Sequence, residues 1–218
     1  MSDKKKNIVI VDDQPLFRER LSQLLNHELD MEVREQVENV EQAIPLIHNT
    51  SPDLAIANIT LKGFSGLELI NGLKALSIGV PVLVLSPHGD SLYAERSLRA
   101  GATGYITKHQ PASEFLFAVR RVLAGEVYLP ERMRSFFLKR IVTTGVKSVG
   151  REIDRLADRE LEVLSLSGRG RTTREIAEAL HLSIATIGTY RARIKEKMKF
   201  RNAKEFDHFA TRWVLQRK

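Results

Sequence analysis

Ser183 to Arg201 reads SIATIGTYRARIKEKMKFR. Wound at about 100° per residue, it gathers Ile184, Ile187, Ile194 and Met198 in one apolar sector. Ala185, Gly188, Thr189, Ala192 and Lys199 fall on the opposite side. From Arg191 to Arg201, the cations Arg191, Arg193, Lys195, Lys197, Lys199 and Arg201 stand against the single acid Glu196. One face is fit to dock on a core. The other is small near its start, which admits close approach to another surface, and basic towards its end, which suits a polyanion. A solvated basic helix on any globular protein has the same pattern, so the neighbouring sequence decides.

Upstream, Thr172 is followed three residues later by Glu175, the spacing of a capping box. TREIAEAL then puts Ile176, Ala177 and Leu180 on one face, His181 and Leu182 make a short turn, and Ser183 is suited to cap the next helix. Two short helices joined by such a turn form the helix-turn-helix unit, whose second helix enters the major groove of DNA. Before them, ADRELEVLSLSGRG reads as a further helix, capped by Asp158, with Leu161, Val163, Leu164 and Leu166 apolar and Gly168 as its stop.

The run from Leu156 to Met198 resembles the LuxR-type helix-turn-helix of bacterial transcription regulators. Arg159, Glu160, Glu162, Val163, Leu164, Glu175, Ile176, Ala177, Leu180, Ser183, Thr186 and Ile187 carry the match in register. That family often has Lys where this chain has Gly188, and His where it has Tyr190. The resemblance implies a DNA-contacting set of Thr173, Arg174, Ala185, Thr186, Gly188, Thr189, Arg191, Ala192, Arg193, Lys195 and Lys199.

The chain's charge is divided. Residues 1–128 carry 13 Lys and Arg against 16 Asp and Glu; residues 129–218 carry 21 against 11. An acidic half joined to a basic half suggests a regulatory module attached to a polyanion-binding one. The absence of cysteine excludes disulfides, thiolate nucleophiles and Cys-based zinc sites. The early apolar run Ile8–Val11 is too short for a signal peptide or membrane span, so a cytoplasmic protein is expected. The six histidines, His27, His48, His88, His109, His181 and His208, show no metal-ligand spacing.

In the acidic half, NIVIVDD, MEVREQV, DLAIAN, VPVLVLS and GYIT read as strands. Helices are expected at 15–25, 40–48, from Gly66, at 91–100 and at 111–124. Five strands alternating with five helices predict an α/β doubly wound, five-stranded parallel sheet, beside a small all-α domain. Ligands in such sheets bind at the carboxyl ends of the strands. Here those ends carry Asp12 and Asp13, Asn58, Ser86, and Thr107 with Lys108.

With VDDQPLFRERL, PDLAIAN, LVLS and GATGYITK at those ends, this half resembles a flavodoxin-like response-regulator receiver, and the whole chain the NarL/FixJ class. The resemblance implies that Asp12 and Asp13 match the metal-binding acids, Ser86 the phosphoryl-binding hydroxyl, Lys108 the phosphoryl-binding lysine and Tyr105 the switching aromatic. Asn58 stands at the phosphoacceptor position. A neutral carboxamide is no nucleophile for acyl phosphate formation, and losing a carboxylate weakens a Mg²⁺ site. Lys62 stands where the family usually has Pro. The bland readings are a helix cap for Asp13, charge neutralisation of the acids by Lys108, a strand-end residue for Ser86 and a core-edge residue for Tyr105.

The expected domains are a pseudo-receiver at 1–127, a linker with a short helix at 128–150, and a LuxR-type DNA-binding domain at 151–218. In the linker Met133, Phe136, Phe137 and Ile141 recur at helical spacing, and VTTGVKSVG reads as flexible. A last helix over 203–215 carries Phe206, Phe209, Trp213 and Val214. No enzyme activity and no resident cofactor are expected; double-stranded DNA, a homodimer partner and a sensor kinase or other regulatory protein are the expected partners, with no membrane. The reading is a transcription regulator independent of aspartyl phosphorylation. Its alternatives are an ordinary phosphorylation-switched regulator carrying an introduced Asp-to-Asn change, and a decoy that docks a kinase without binding DNA.

Overall fold

A computed structural model describes residues 5–215 apart from 88, 90 and 145–151. Among the described residues the first half alternates β1 (Lys6–Val11), α1 (Pro15–Asn26), β2 (Met31–Val37), α2 (Val40–Thr50), β3 (Leu54–Asn58), α3 (Gly66–Ala75), β4 (Val82–Ser86), α4 (Ser91–Ala100), β5 (Gly104–Thr107) and α5 (Ala112–Leu123). The sheet order is β2-β1-β3-β4-β5, all parallel. All five residues of β3 and of β4 are buried. That is why these strands read as continuous apolar runs rather than alternating ones: helices cover both faces. Ile8, Ile10, Leu54, Ile56, Leu83, Leu85 and Ile106 form one cluster with Leu21 and Leu25 of α1 and Phe115, Ala118, Val119 and Val122 of α5. By strand alternation, Val9, Val11, Ala55, Ala57 and Val84 face the opposite layer, where α2, α3 and α4 pack side by side.

The chain divides into two compact units, residues 1–138 and 139–218. Tyr128, expected at the start of the linker, instead extends the sheet beside β5. Its N–H donates to Thr103 O, its carbonyl accepts from Tyr105 N, and its hydroxyl donates to Glu114. A buried tyrosine whose backbone and hydroxyl are both satisfied there is part of the sheet layer, reached after the turn at Gly125 (φ 81°). The linker helix α6 runs Glu131–Thr144. It takes in the first residues of the stretch read as flexible; the remainder, 145–150, lies outside the described residues, as does His88.

The second unit holds a 3-10 turn (Glu152–Arg155), α7 (Asp158–Gly168), α8 (Thr173–Leu180), α9 (Ile184–Lys197) and α10 (Ala203–Leu215). Leu161, Val163, Leu164, Ile176, Leu180, Ile187, Ile194, Phe206 and Trp213 are buried in it. Three expectations need correction or refinement. Asp158 lies in the first turn of α7, and Ala157 occupies the cap, with Glu160 accepting from its N–H at 2.7 Å. The helix does end at Gly168, but as its last helical residue, and the left-handed glycine after it is Gly170; a Cβ on Gly168 would lie 2.2 Å from Ala210 O and 2.7 Å from Val214 Cγ2, so this glycine serves close packing of α10. Finally, α9 stops at Lys197, Met198 caps it, and Lys199 follows with φ 57°. Lys199 is therefore off the helix face on which periodicity placed it.

Candidate functional site

Parallel register brings the strand ends together. Val11 pairs with Ala57, Asn58 with Leu85, and Ser86 with Thr107. The residues just past β1, at the end of β3, at the end of β4 and just past β5 therefore lie in one cluster at the carboxyl end of the sheet, where the sequence reading put them.

Within it Asp12 is fully buried. Its Oδ2 accepts from Lys108 Nζ at 2.7 Å and its Oδ1 from Gln14 N–H at 2.9 Å, while its carbonyl accepts from Arg18. Burial pushes the Asp12 carboxyl above the usual carboxylate range, against the opposing pull of Lys108 and of the Gln14 N–H. Lys108 Nζ also stands 4.0 Å from the centre of the Phe17 ring, a cation–π contact. Asn58 is buried, and its Nδ2 donates to Asp13 Oδ1 at 3.3 Å and to Thr60 O at 2.6 Å. Those two acceptors fix the amide's orientation, because the reverse would set Oδ1 against a carboxylate and a carbonyl. Asn58 Oδ1 is then buried without a hydrogen-bond partner. Ser86 is fully buried, with its carbonyl accepting from Lys108 N–H. Tyr105 is fully buried too, deeper than the core-edge position allowed for it. Lys62 is exposed on the neighbouring loop.

A hard divalent cation needs several anionic oxygens turned inward. Here the Asn58 amide directs N–H groups at Asp13 and Thr60 O, and Asp12 is held by an ammonium. Among the described residues no group of three or more His, Cys, Asp or Glu is placed to hold a metal. The donor set present does not fit a resident cation.

The second candidate site is the α8–α9 pair. Thr172 Oγ1 accepts from Glu175 N–H, and the Glu175 carboxylate accepts from Thr172 N–H at 2.8 Å, a complete capping box. His181 takes a left-handed conformation that closes α8, Leu182 N–H returns to Ala177 O, and Ser183 Oγ accepts from Thr186 N–H. Ile187 and Ile194 anchor the back of α9. Two ion pairs brace it further. Lys197 Nζ meets Glu160 Oε2 at 2.7 Å, and Arg191 meets Asp207 Oδ1 at 2.7 Å with its guanidinium 4.6 Å from the Phe206 ring centre. The Arg159–Glu162 pair is buried within α7. The charged motif residues of α7 thus hold the scaffold rather than face outward.

Of the expected contact residues, Arg174, Ala185, Gly188, Thr189, Ala192 and Arg193 are exposed, and Thr173, Thr186 and Lys195 are half-buried. Arg174 forms an ion pair with Glu178, and Thr189 Oγ1 donates to Ala185 O. Arg191 is turned to α10 and is a brace. Ile184, placed with the docked sector by periodicity, is 56% exposed. At the first position of α9 the helix has not yet reached the core, so the apolar sector opens to solvent there. The sequence offered no sign of this, nor of the Lys197 and Arg191 braces, since their acids lie on other helices.

Residues 8–120 match the response regulator receiver domain family, and residues 154–210 match the luxR family of bacterial regulatory proteins. The transcriptional regulatory protein DesR of Bacillus subtilis is 32% identical over 90% of this chain and 92% of its own. A LuxR-family two-component response regulator from Aurantimonas sp. SI85-9A1 superposes with a TM-score of 0.60 at 26% identity, covering 64% of this chain and 99% of that one. RcsB of Salmonella enterica serovar Typhimurium, in a structure bound to promoter rprA, has the same fold, with a TM-score of 0.60 at 21% identity over 95% of this chain and 99% of that one. Among the described residues no helix is long and apolar enough to cross a membrane.

Proposed function

Since the chain belongs to the LuxR-type, NarL/FixJ-class two-component response regulators, DNA-binding transcription regulators and not enzymes, we propose that its receiver half works without aspartyl phosphorylation. The observation that carries this is the buried Asn58 amide at the end of β3, which donates to Asp13 and Thr60 O; the reading takes that position as the phosphoacceptor's. It supplies no nucleophilic oxygen. It also satisfies, by hydrogen bonding, the oxygens that a cation would otherwise claim. Lys108 neutralises Asp12, one of the two acids that its bland reading gave it, and Asn58 donates to the other, Asp13. Residues 1–128, with Tyr128 now counted in the sheet, then form a pseudo-receiver, 129–150 the connection and 151–218 the DNA-binding domain.

In the second unit α9 lies in the major groove. Arg174, Arg193 and Lys195 contact phosphate, and the face of Ala185, Gly188, Thr189 and Ala192 meets base edges, with Thr173 and Thr186 flanking it. Exposed cations around a face of small side chains support this assignment. The chain binds as a homodimer on paired half-sites, and its signal comes from a protein docked on the receiver, a sensor kinase or another regulator. The decoy alternative loses its ground with membership of a DNA-binding family.

The test is a titration of a selected DNA duplex with the full-length chain, with and without acetyl phosphate and Mg²⁺, with acyl phosphate read by phosphate-affinity electrophoresis. No phosphoprotein and superimposable binding curves are expected. A shifted band with tightened binding overturns the proposal.

A further inference from the structure

We infer that Ile184 reads the 5-methyl group of a thymine in the major groove, and that Gly188, one turn further on, leaves α9 the clearance to seat it there. The inference rests on the assignment of α9 to the groove.

Three isoleucines lie on α9. Ile187 and Ile194 are fully buried, and Ile184 is left out. The Ser183 cap makes Ile184 the first helical residue. The N-terminal residues of a recognition helix are those that contact base edges. A β-branched side chain there is a poor helix former, and Ile184 leaves 56% of its surface to water.

Gly188 poses the same question. It follows Ile184 by four residues and therefore lies on the same face. Glycine weakens a helix relative to alanine, yet a Cβ at Gly188 would meet nothing within 4 Å, and its φ is not left-handed. Among the described residues neither packing nor backbone conformation calls for glycine. Close approach of another molecule does.

The neighbours select the ligand chemistry. Ala185 and Ala192 have no hydrogen-bonding group, and the Thr189 hydroxyl is already engaged by Ala185 O. Bidentate readout of guanine or adenine is absent from these positions. What remains is apolar contact, and in the major groove its target is the thymine methyl. Exposed Arg174 and Arg193 flank the face and place it against a polyanion.

The test uses a duplex selected by the full-length chain from a random-sequence pool, with each thymine replaced in turn by deoxyuridine. Replacing the thymine under Ile184 is expected to weaken wild-type binding about fourfold, the value of one buried carbon. The same replacement leaves Ile184→Ala unchanged. Gly188→Ala is expected to raise the melting temperature while weakening binding of the parent duplex about tenfold or more. The methyl assignment is overturned if no deoxyuridine duplex binds wild type more weakly than its parent, or if Ile184→Ala responds to the replacement as wild type does. The clearance is overturned if Gly188→Ala binds as tightly as wild type. If folded Arg193→Ala and Ile184→Ala both bind the parent duplex like wild type, α9 is not the helix in the groove, and the underlying assignment falls as well.

Discussion

Lys108 Nζ stands 2.7 Å from Asp12 Oδ2, with the lysine side chain 9% exposed and the aspartate fully buried. The pair joins the end of β5 to the end of β1 across β3 and β4. Two desolvated charges of this kind stabilise little relative to an apolar pair, but each is costly to strand alone.

Replacing Lys108 by Met removes the ammonium and its contact with Phe17 while keeping an unbranched chain. The buried Asp12 carboxylate then keeps only the Gln14 N–H, since Arg18 donates to the Asp12 carbonyl instead. The expected loss, by urea denaturation at neutral pH, is about 3–5 kcal/mol. A loss within experimental error would mean that water, not Lys108, satisfies Asp12.

The same carboxyl sets a pH dependence. Burial, the dominant influence, raises its folded pKa above the ordinary value of 3.8. Between those two values the native state binds more protons than the unfolded chain, so the slope of stability against pH is negative. Asp12 therefore contributes most below its unfolded pKa, and the contribution is lost as pH rises through its folded one. Asp30 has the opposite sign, because its hydrogen bond from Arg120 lowers its pKa. It is common to both proteins when wild type is compared with Asp12→Asn. The difference in unfolding free energy, wild type minus variant, should fall as pH is raised from about 4. A difference that grows with pH would show that Lys108 outweighs burial.

At Asn58 the prediction turns on two hydrogen bonds. Asn58→Asp places a carboxylate oxygen where Nδ2 now donates to Asp13 and Thr60 O, so attraction becomes repulsion between a buried group and two half-buried ones. In the presence of a chelator the variant is expected to lose about 1–3 kcal/mol. Mg²⁺ should restore this by binding the native state alone, since three carboxylates then meet in one cluster. Acetyl phosphate should phosphorylate the variant, yet its DNA affinity should change less than about tenfold, or about 1.4 kcal/mol. Asn58 Oδ1 has no hydrogen-bond partner, the loop beside it carries Lys62, and Tyr105 is fully buried. A phosphorylated variant that binds DNA far more tightly would establish an intact switch, and with it an introduced Asn58.

The elements of the receiver were legible because parallel strands covered on both faces are forced into continuous apolar runs, and their carboxyl ends converge whatever the helices do. Hence Asp12, Asn58, Ser86 and Lys108 were found together from spacing alone. Who pairs with whom was not legible. The choice of Asp12 rather than Asp13 by Lys108 depends on side-chain directions set by Gln14 and Phe17. On α9, periodicity assigned Ile187, Ile194 and Met198 to the core but misplaced Ile184 and Lys199. A helical wheel takes no account of where the core begins or where the helix ends. At Gly168 the helix end was legible but the packing role was not, for a related reason: that role is the approach of α10 to α7, a contact about 40 residues distant that no local pattern encodes.

The two arginines of α9 separate bracing from binding. Arg193 is exposed and available to phosphate. Arg191 is 23% exposed and held by Asp207 and the Phe206 ring. Each phosphate contact contributes about −0.9 to the slope of log affinity against log salt. Arg193→Ala should therefore weaken binding to every duplex alike and flatten that slope by about one unit, with stability unchanged. Arg191→Ala should leave the slope alone and cost stability instead, about 1 kcal/mol for a partly exposed ion pair and a cation–π contact. Its affinity should fall only as far as α9 loses its orientation. Two salt titrations and two denaturation curves decide the matter. If Arg191→Ala flattens the slope as much as Arg193→Ala does, Arg191 leaves Asp207 when DNA binds, and the Asp207 ion pair describes the free protein alone.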